Sequence, residues 1–352
     1  MNILIQLTKD FKGCGFYRLF QPHNHLCKNY PVKVTANTGF WKSDNQKYSD
    51  AELKQFDIIV WHKGVFELED IKKAKQLGIK TVIDFDDHWV LNPEHSLSGS
   101  WVKNNTPVKM HKALLYADYI TCTTDILADA IYPHNKNVCV LPNAMDMNYE
   151  GCKVQRKEEK EFCFGYLGGH FHYRDVSLLR NLRISGNFRM RLFGYDGTYV
   201  YDHYAKILEG NGNFDVFKGL PIYSYPQFYN LMDCSLVPLE NNNFNRYKSE
   251  LKLIEAGFFK KAVIVSNVHP YKKVINKENC LTVINSVDWS RHAQSLIDNP
   301  NQAKDLGEAL YESVKHYNID EVNKKRYNFY KDVLKNVNIS GRILTGGMEI
   351  LN

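Results

Sequence analysis

Short apolar runs alternate with helix-like patterns along almost all of this 352-residue chain, and that cadence constrains its fold more than any other feature. In the first half the runs are NILIQL, VKVTA, DIIVWH, KTVIDF, YITCT and VCVLP. Helical patterns lie between several of them. One is ELEDIKKAKQLG, which ends on Gly78 where a left-handed cap is expected. Strands that regularly give way to helices read as a parallel, doubly wound sheet. The second half restarts the pattern with FCFGYLG, FRMRLFGY, FDVFKG, CSLVPL, AVIVS and CLTVI. Between the halves the charge run KVQRKEEKE reads as a solvated linker. A chain of this length exceeds what one hydrophobic core usually serves.

The expected fold class is therefore α/β, with two Rossmann-like doubly wound domains facing across a cleft. The first is expected over 1–150, a linker over 151–161 and the second over 162–315. A C-terminal helix over 316–335, packing back toward the first domain, and an irregular tail over 336–352 complete the chain.

Composition narrows the class of protein. Hydrophobic residues make up 44% and charged residues 24%, as in ordinary soluble domains, and the formal charge of +6 fits a phosphate-bearing partner without requiring one. The 8 cysteines include no CxxC pair, which argues against a zinc or redox motif and fits a reducing cytoplasm. MNILIQL reads as a strand rather than a signal peptide, and no run approaches the roughly 20 apolar residues that span a bilayer. Any membrane contact is expected to be peripheral.

Ligands of open α/β sheets bind beyond the carboxyl ends of the strands, so the residues just after each strand carry the most information. After the first strand, Gly13-Cys14-Gly15 makes a turn that backbone can use to approach an anion, with Tyr17 and Arg18 following it. Arg18 stands where a dinucleotide fingerprint has its third glycine, so NAD is not expected. KTVIDFDDHW sets Asp84, Asp86 and Asp87 at one strand end, where crowded carboxylates need compensation. Hydroxyl recognition is favoured there over a metal, and His88 is a possible base. VCVLPNAMD delivers Asn143 to the domain boundary.

FGYLGGHFHYRD repeats the strand–glycine–helix grammar, with Gly168 and Gly169 exposing backbone N–H groups and His172 and Arg174 behind them. Arg174 has the fork geometry for phosphate, and lone His170 reads as a surface residue. NRYKSELKLIEAGFFKKAVIVS follows an amide-rich loop and is expected to be a helix from about Arg246 to Phe259. Its face would align Lys248, Lys252 and Glu255, with Asn245 and Ser249 near the start. The helix N-terminus and Lys248 suit a diphosphate. Glu255, about 10 Å further along the axis, suits the vicinal hydroxyls of a ribose. Surface ion pairing at i,i+3 and i,i+4 is the plainer alternative.

Four of these stretches, in order, resemble the GT-B glycosyltransferases, in particular the retaining family 4-like group. Along the chain they are the DFDDHW segment, the LPNAMD segment, the glycine turn GYLGGHFHYRD and the NRYKSELKLIEAG helix. The resemblance implies Glu255 on the nucleotide ribose and Lys248 with Ser249 near the diphosphate. Gly168, Gly169 and Arg174 would lie on its other side and Gly15 under the transferred sugar. Tyr247 stands where the group has a glutamate for the sugar. Tyr17, Arg18 and Asn143 are the expected contacts to the acceptor.

The implied activity is hexosyl or pentosyl transfer from a UDP- or GDP-sugar to an acceptor hydroxyl of a glycan, a lipid-linked saccharide or a nucleic acid. Retention and no obligatory metal or cofactor go with it. An inverting variant would need a base, for which Asp86, Asp87 and His88 are the candidates. A DNA-modifying glycosyltransferase and a non-catalytic nucleotide sensor, since VIDFDD resembles a receiver-domain pocket, are the rival readings.

Overall fold

The computed structural model describes residues 1–6, 13–37, 47–65, 67–154, 159–210 and 212–339. It contains two compact units. The first comprises Met1–Ala144, Tyr247–Ser249 and the segment beginning at Asn318; the second comprises Met145–Arg246 and Glu250–Tyr317. All twelve apolar runs are strands. In the first unit they are β1 (Asn2–Gln6), β2 (Lys33–Asn37), β3 (Ile58–His62), β4 (Lys80–Phe85), β5 (Tyr119–Cys122) and β6 (Val138–Val140). In the second they are β7 (Phe162–Leu167), β8 (Phe188–Tyr195), β9 (Asn213–Lys218), β10 (Cys234–Val237), β11 (Ala262–Ser266) and β12 (Leu281–Val283).

The first sheet has the order β2-β1-β3-β4-β5-β6 and the second β12-β11-β10-β7-β8-β9, with every pairing parallel. Central strands of such sheets are covered on both faces, which is why IIVWH and AVIVS are buried at every position. The order in which the chain adds strands reverses between β1 and β3 in the first sheet and between β7 and β10 in the second. Those are the switch points where the flanking connections part and leave a crevice.

In the first unit the Ile319–Leu334 helix packs on the Gln21–Asn29 helix. Buried His23 lies at that seam, its Nδ1 2.6 Å from the Leu19 carbonyl and its Nε2 2.7 Å from the Tyr330 hydroxyl. A carbonyl can only accept, so Nδ1 carries a proton, and in the neutral ring Nε2 is left to accept from the Tyr330 hydroxyl. Burial, then the neighbouring Arg326 cation, push the His23 pKa down from 6.5 to about 3, while Asp84 and Arg18 act weakly in opposite senses. The unfolded chain therefore takes up a proton below about pH 6.5 that the folded chain refuses. Stability should fall as pH drops from about 6.5 toward 3, by about 1.4 kcal/mol per pH unit at most. Urea midpoints between about pH 6.5 and 5.5 should show this slope in the natural chain and a shallower one in His23→Asn, where His88 and His203 still contribute.

Two expectations change. The helix expected from Arg246 begins only at Leu251, after a single tight turn over Asn245–Tyr247. Tyr247 packs instead against the core of the first unit, which draws the chain out of helical register before Glu250. Lys248 is thus not on the helix that carries Lys252 and Glu255. The charge run is also not all solvated linker: Glu150–Lys153 is a helical turn, and 155–158 lie outside the described residues. Glu159 and Glu161 pair with Arg191 and Arg189, which strand alternation sets on one face of β8. From position 340 the expected tail lies outside the described residues.

Candidate active site

In the first unit the β1/β3 switch point gathers charged groups. β3 ends in His62, and Lys63 follows with φ 62° and Gly64 with φ 61°. A left-handed backbone is strained for lysine, and such strain persists only where its surroundings hold it. Here the Lys63 N–H donates to the Asp84 carbonyl at 2.8 Å, and a Cβ on Gly64 would sit 3.0 Å from Ala113 Cβ. The turn aims Lys63 Nζ at Asp86 Oδ1, 2.8 Å away, and His62 Nε2 lies 3.1 Å from the same oxygen.

Each of the three aspartates is met by a cation, and Asp86 and Asp87 share Lys63. Asp84 is fully buried and takes a two-pronged bond from Arg18, Nε to Oδ1 and Nη2 to Oδ2, both 2.8 Å, plus the Thr121 hydroxyl at 2.6 Å. Asp86 faces Lys63 and His62, while Asp87 lies 3.7 Å from both Lys63 Nζ and Lys248 Nζ. Burial alone would raise the Asp86 pKa, but Lys63 and His62 outweigh it and hold it well below the carboxylate range. Asp86 is therefore a poor proton acceptor near neutrality.

His88 is stacked between Trp89 (4.2 Å, 16°) and Tyr247 (4.4 Å, 27°). Its Nδ1 accepts the Val90 N–H at 3.0 Å, which puts the ring proton on Nε2 and leaves no ring nitrogen to serve as a base. Burial lowers its pKa further.

Arg18 and Tyr17, expected on an acceptor, both point inward. Arg18 Nη1 donates to the Leu141 carbonyl at 2.7 Å and to Asn143 Oδ1 at 3.2 Å, and Asn143 Nδ2 donates onward to Ser249 Oγ at 2.8 Å. Arg18 thus positions Asn143 and Ser249 rather than a ligand. Gly15 is buried in the first turn of the helical segment; Gly13, with φ +43°, is the residue that needs glycine's freedom. Gln6, at the carboxyl end of β1, is buried, and neither of its amide atoms has a partner among the described residues.

In the second unit the β7/β10 switch point brings the glycine turn to the first turn of the Leu251–Phe258 helix. Lys252 Nζ donates to the Leu167 carbonyl at the end of β7 and lies 6.0 Å from the Tyr166 ring. The Tyr166 hydroxyl is buried without a hydrogen-bond partner among the described residues. A Cβ on Gly168 would come within 2.3 Å of that oxygen, so only glycine lets the loop pack directly over the hydroxyl. The hydroxyls of Tyr201 and Tyr204 hold the Gly168 and Gly169 carbonyls at 2.7 and 3.0 Å, fixing the loop's orientation.

Behind the loop, His172 Nδ1 lies 2.6 Å from Asp175, whose other oxygen accepts the Glu240 N–H at 2.7 Å. Arg174 is exposed and forked by Glu240 at 2.7–3.1 Å. Asn245 is buried and donates to the Glu240 carbonyl at 2.9 Å, shaping the β10 loop rather than facing out of it. Glu255 is 3% exposed, and its Oε2 accepts from the Tyr229 hydroxyl at 2.8 Å.

His62, Lys63, Gln6, Tyr166 and Glu240 were not singled out from sequence. The rule that reads the residues after each strand would have found His62 and Lys63 in VWHKG. Gln6 and Tyr166 sit inside strands, where a polar tip is indistinguishable from core filling.

No family model and no curated protein sequence matches the chain. Solved structures do. A sucrose-phosphate synthase from Thermosynechococcus elongatus has a TM-score of 0.67 at 12% identity, over 95% of this chain and 99% of that one. HepE from Anabaena, in complex with UDP-glucose, has a TM-score of 0.63 at 13% identity over 94% and 100%. An alpha-glucosyltransferase in complex with UDP and a 13-mer DNA containing an HMU base has a TM-score of 0.63 at 13% identity over 94% and 99%. The chain thus has the GT-B fold, with its two Rossmann-like domains. Identity this low establishes the fold alone, and activity has to be argued from the residues.

Proposed function

We propose that the chain is a glycosyltransferase that moves a sugar from a UDP-sugar to an acceptor hydroxyl, with retention of configuration. One observation carries the reading. Within one unit, at the switch point of a GT-B domain, Lys252 is seated at the glycine turn while Glu255 follows one helical turn later. That spacing, about 4.5 Å along the axis, suits a cation at the phosphate end of a nucleotide and a carboxylate at its ribose.

The diphosphate is bound by Gly168 and Gly169 and by Lys252. Its departure is helped by these fixed donors, which meet the charge that develops on the leaving oxygen. Arg174 and His172 shape the loop through Glu240 and Asp175, and Lys248 shares its charge with Asp87 in the first unit. Glu255 accepts from the two ribose hydroxyls. The acceptor is held by the first unit, where Lys63 and the His62–Asp86 pair orient its hydroxyl.

Retention suits this chemistry, because the acceptor's proton can pass to the departing diphosphate on the same face. The candidates for a separate base are poor: Asp86 is tied to Lys63, and His88 Nδ1 already accepts a hydrogen bond from the Val90 N–H. UDP is favoured over GDP by the UDP-bound HepE and alpha-glucosyltransferase structures. A DNA acceptor is the second reading, favoured by the +6 charge and by the DNA-bound likeness.

The test is UDP release from UDP-sugars, alone and with glycan or hydroxymethylated DNA acceptors. Release that depends on acceptor and yields an α-linkage from an α-linked donor supports the proposal. Binding with no release from any UDP- or GDP-sugar would make the protein a nucleotide sensor. Release without acceptor would point to epimerase chemistry. A steep loss of duplex binding with salt would select the DNA acceptor.

A further inference from the structure

The second unit carries a cavity at the other end of its sheet. It has a volume of about 400 Å³ and is lined by Arg180, Arg183, His203, Lys206, Ile207 and Gly210. Arg180 and Arg183 lie in the stretch that leads into the amino end of β8, and Gly210 just before the amino end of β9. The glycine turn and the Leu251–Phe258 helix serve the carboxyl ends of β7 and β10. The cavity is therefore not part of the nucleotide site proposed above.

Its lining is one-sided in charge: three permanent cations and a histidine, with no acidic residue among the six. Like charges so gathered repel one another, and a bound anion relieves the repulsion. Arg183 Nη1 is anchored on the Arg180 and Leu182 carbonyls at 3.3 and 2.6 Å, which fixes its fork in place. His203 is held face to face with Tyr173, centroids 3.9 Å apart at 17°, and its Nε2 lies 3.3 Å from Ser177 Oγ. Burial, then Arg180 and Lys206, lower its pKa, so His203 registers the surrounding positive field. Ile207 adds an apolar wall for an organic body.

We infer that this cavity is a second anion site, built for a phosphomonoester dianion attached to a small organic group. Arginine forks match phosphate oxygens two at a time, and Lys206 adds a point charge. The volume suits a body of about sugar size, within the 300–1,000 Å³ range of small-molecule sites. A phosphodiester strand is a poorer fit, because each of its phosphates brings only one charge to a cavity that converges three.

The test uses the full chain and does not depend on transferase activity. Glycerol phosphate is titrated into the natural chain and into Arg180→Gln/Lys206→Gln by calorimetry, with the histidine ring signals followed by NMR. Arg180 and Lys206 are exposed, and equal melting temperatures without ligand check that the variant folds. The expected result is saturation in about the millimolar range, displacement of the His203 signal, and weakening by about tenfold or more in the variant. Phosphatidylcholine vesicles with and without phosphatidic acid are tested in parallel. Binding to phosphatidic acid but not to glycerol phosphate, lost in the variant, supports the same chemistry and assigns a lipid headgroup as its source. Binding that is equal in the variant, or that leaves His203 unmoved, overturns the inference. So does binding confined to a single-stranded oligonucleotide.

Discussion

Replacing Arg18 with methionine will destabilise the first unit by about 3–5 kcal/mol, the range found when one partner of a buried ion pair is removed. Asp84 is fully buried, and Arg18 supplies both of its charged bonds. Without the guanidinium, Asp84 keeps only the Thr121 hydroxyl among these bonds, and the Leu141 carbonyl and Asn143 Oδ1 lose the donor they share. The Asp84 carboxylate is held below its ordinary pKa because Arg18 outweighs the burial that would raise it. In the variant, burial prevails and Asp84 should take up a proton well above the usual carboxylate range.

Urea denaturation followed by a probe in the first unit measures the loss, since a two-unit chain need not unfold in one step. Removing both charges, in Arg18→Met/Asp84→Leu, should restore much of the stability because no buried charge is left behind. A ligand-binding Arg18 would behave differently, costing acceptor affinity while leaving the urea midpoint in place.

Replacing Glu255 with glutamine should weaken UDP-sugar binding by about 2–3 kcal/mol, or roughly 30- to 150-fold. The proposed ribose contact is two hydrogen bonds to an ionised carboxylate, each worth about twice its neutral counterpart. Glutamine keeps the shape and can still accept from the Tyr229 hydroxyl, so the fold should persist. Alanine would leave that hydroxyl unpaired in a buried site and mix a stability loss into the affinity. Tyr229→Phe is the control: it keeps the carboxylate and should change affinity by less than about tenfold. Calorimetry with UDP-glucose separates the two variants.

What could be read beforehand, and what could not, follows from the range of the interactions. Parallel strands covered on both faces leave near-continuous apolar runs, so IIVWH and AVIVS were legible as strands. Periodicity cannot say which core receives an apolar side chain. Tyr247, Leu251, Ile254 and Phe258 share a helical stripe, yet Tyr247 joins the core of the first unit and the helix starts after it. The same blindness made Arg18 look like a ligand group, because an arginine at a strand-to-helix turn reads alike whether it meets a phosphate or a buried aspartate sixty-six positions away. Lys63 stands where the residues after a strand can be read, but the left-handed turn that aims it is set by Asp84 and by the packing around Gly64, far away in sequence. That Lys252 and Glu255 share a helix was legible because that helix is local.

A structure of the protein with UDP bound is the most direct measurement. The account predicts the diphosphate at Gly168, Gly169 and Lys252, with both ribose hydroxyls within hydrogen-bond distance of the Glu255 carboxylate. A nucleotide bound elsewhere, or bound there with Glu255 touching only Tyr229, would contradict it.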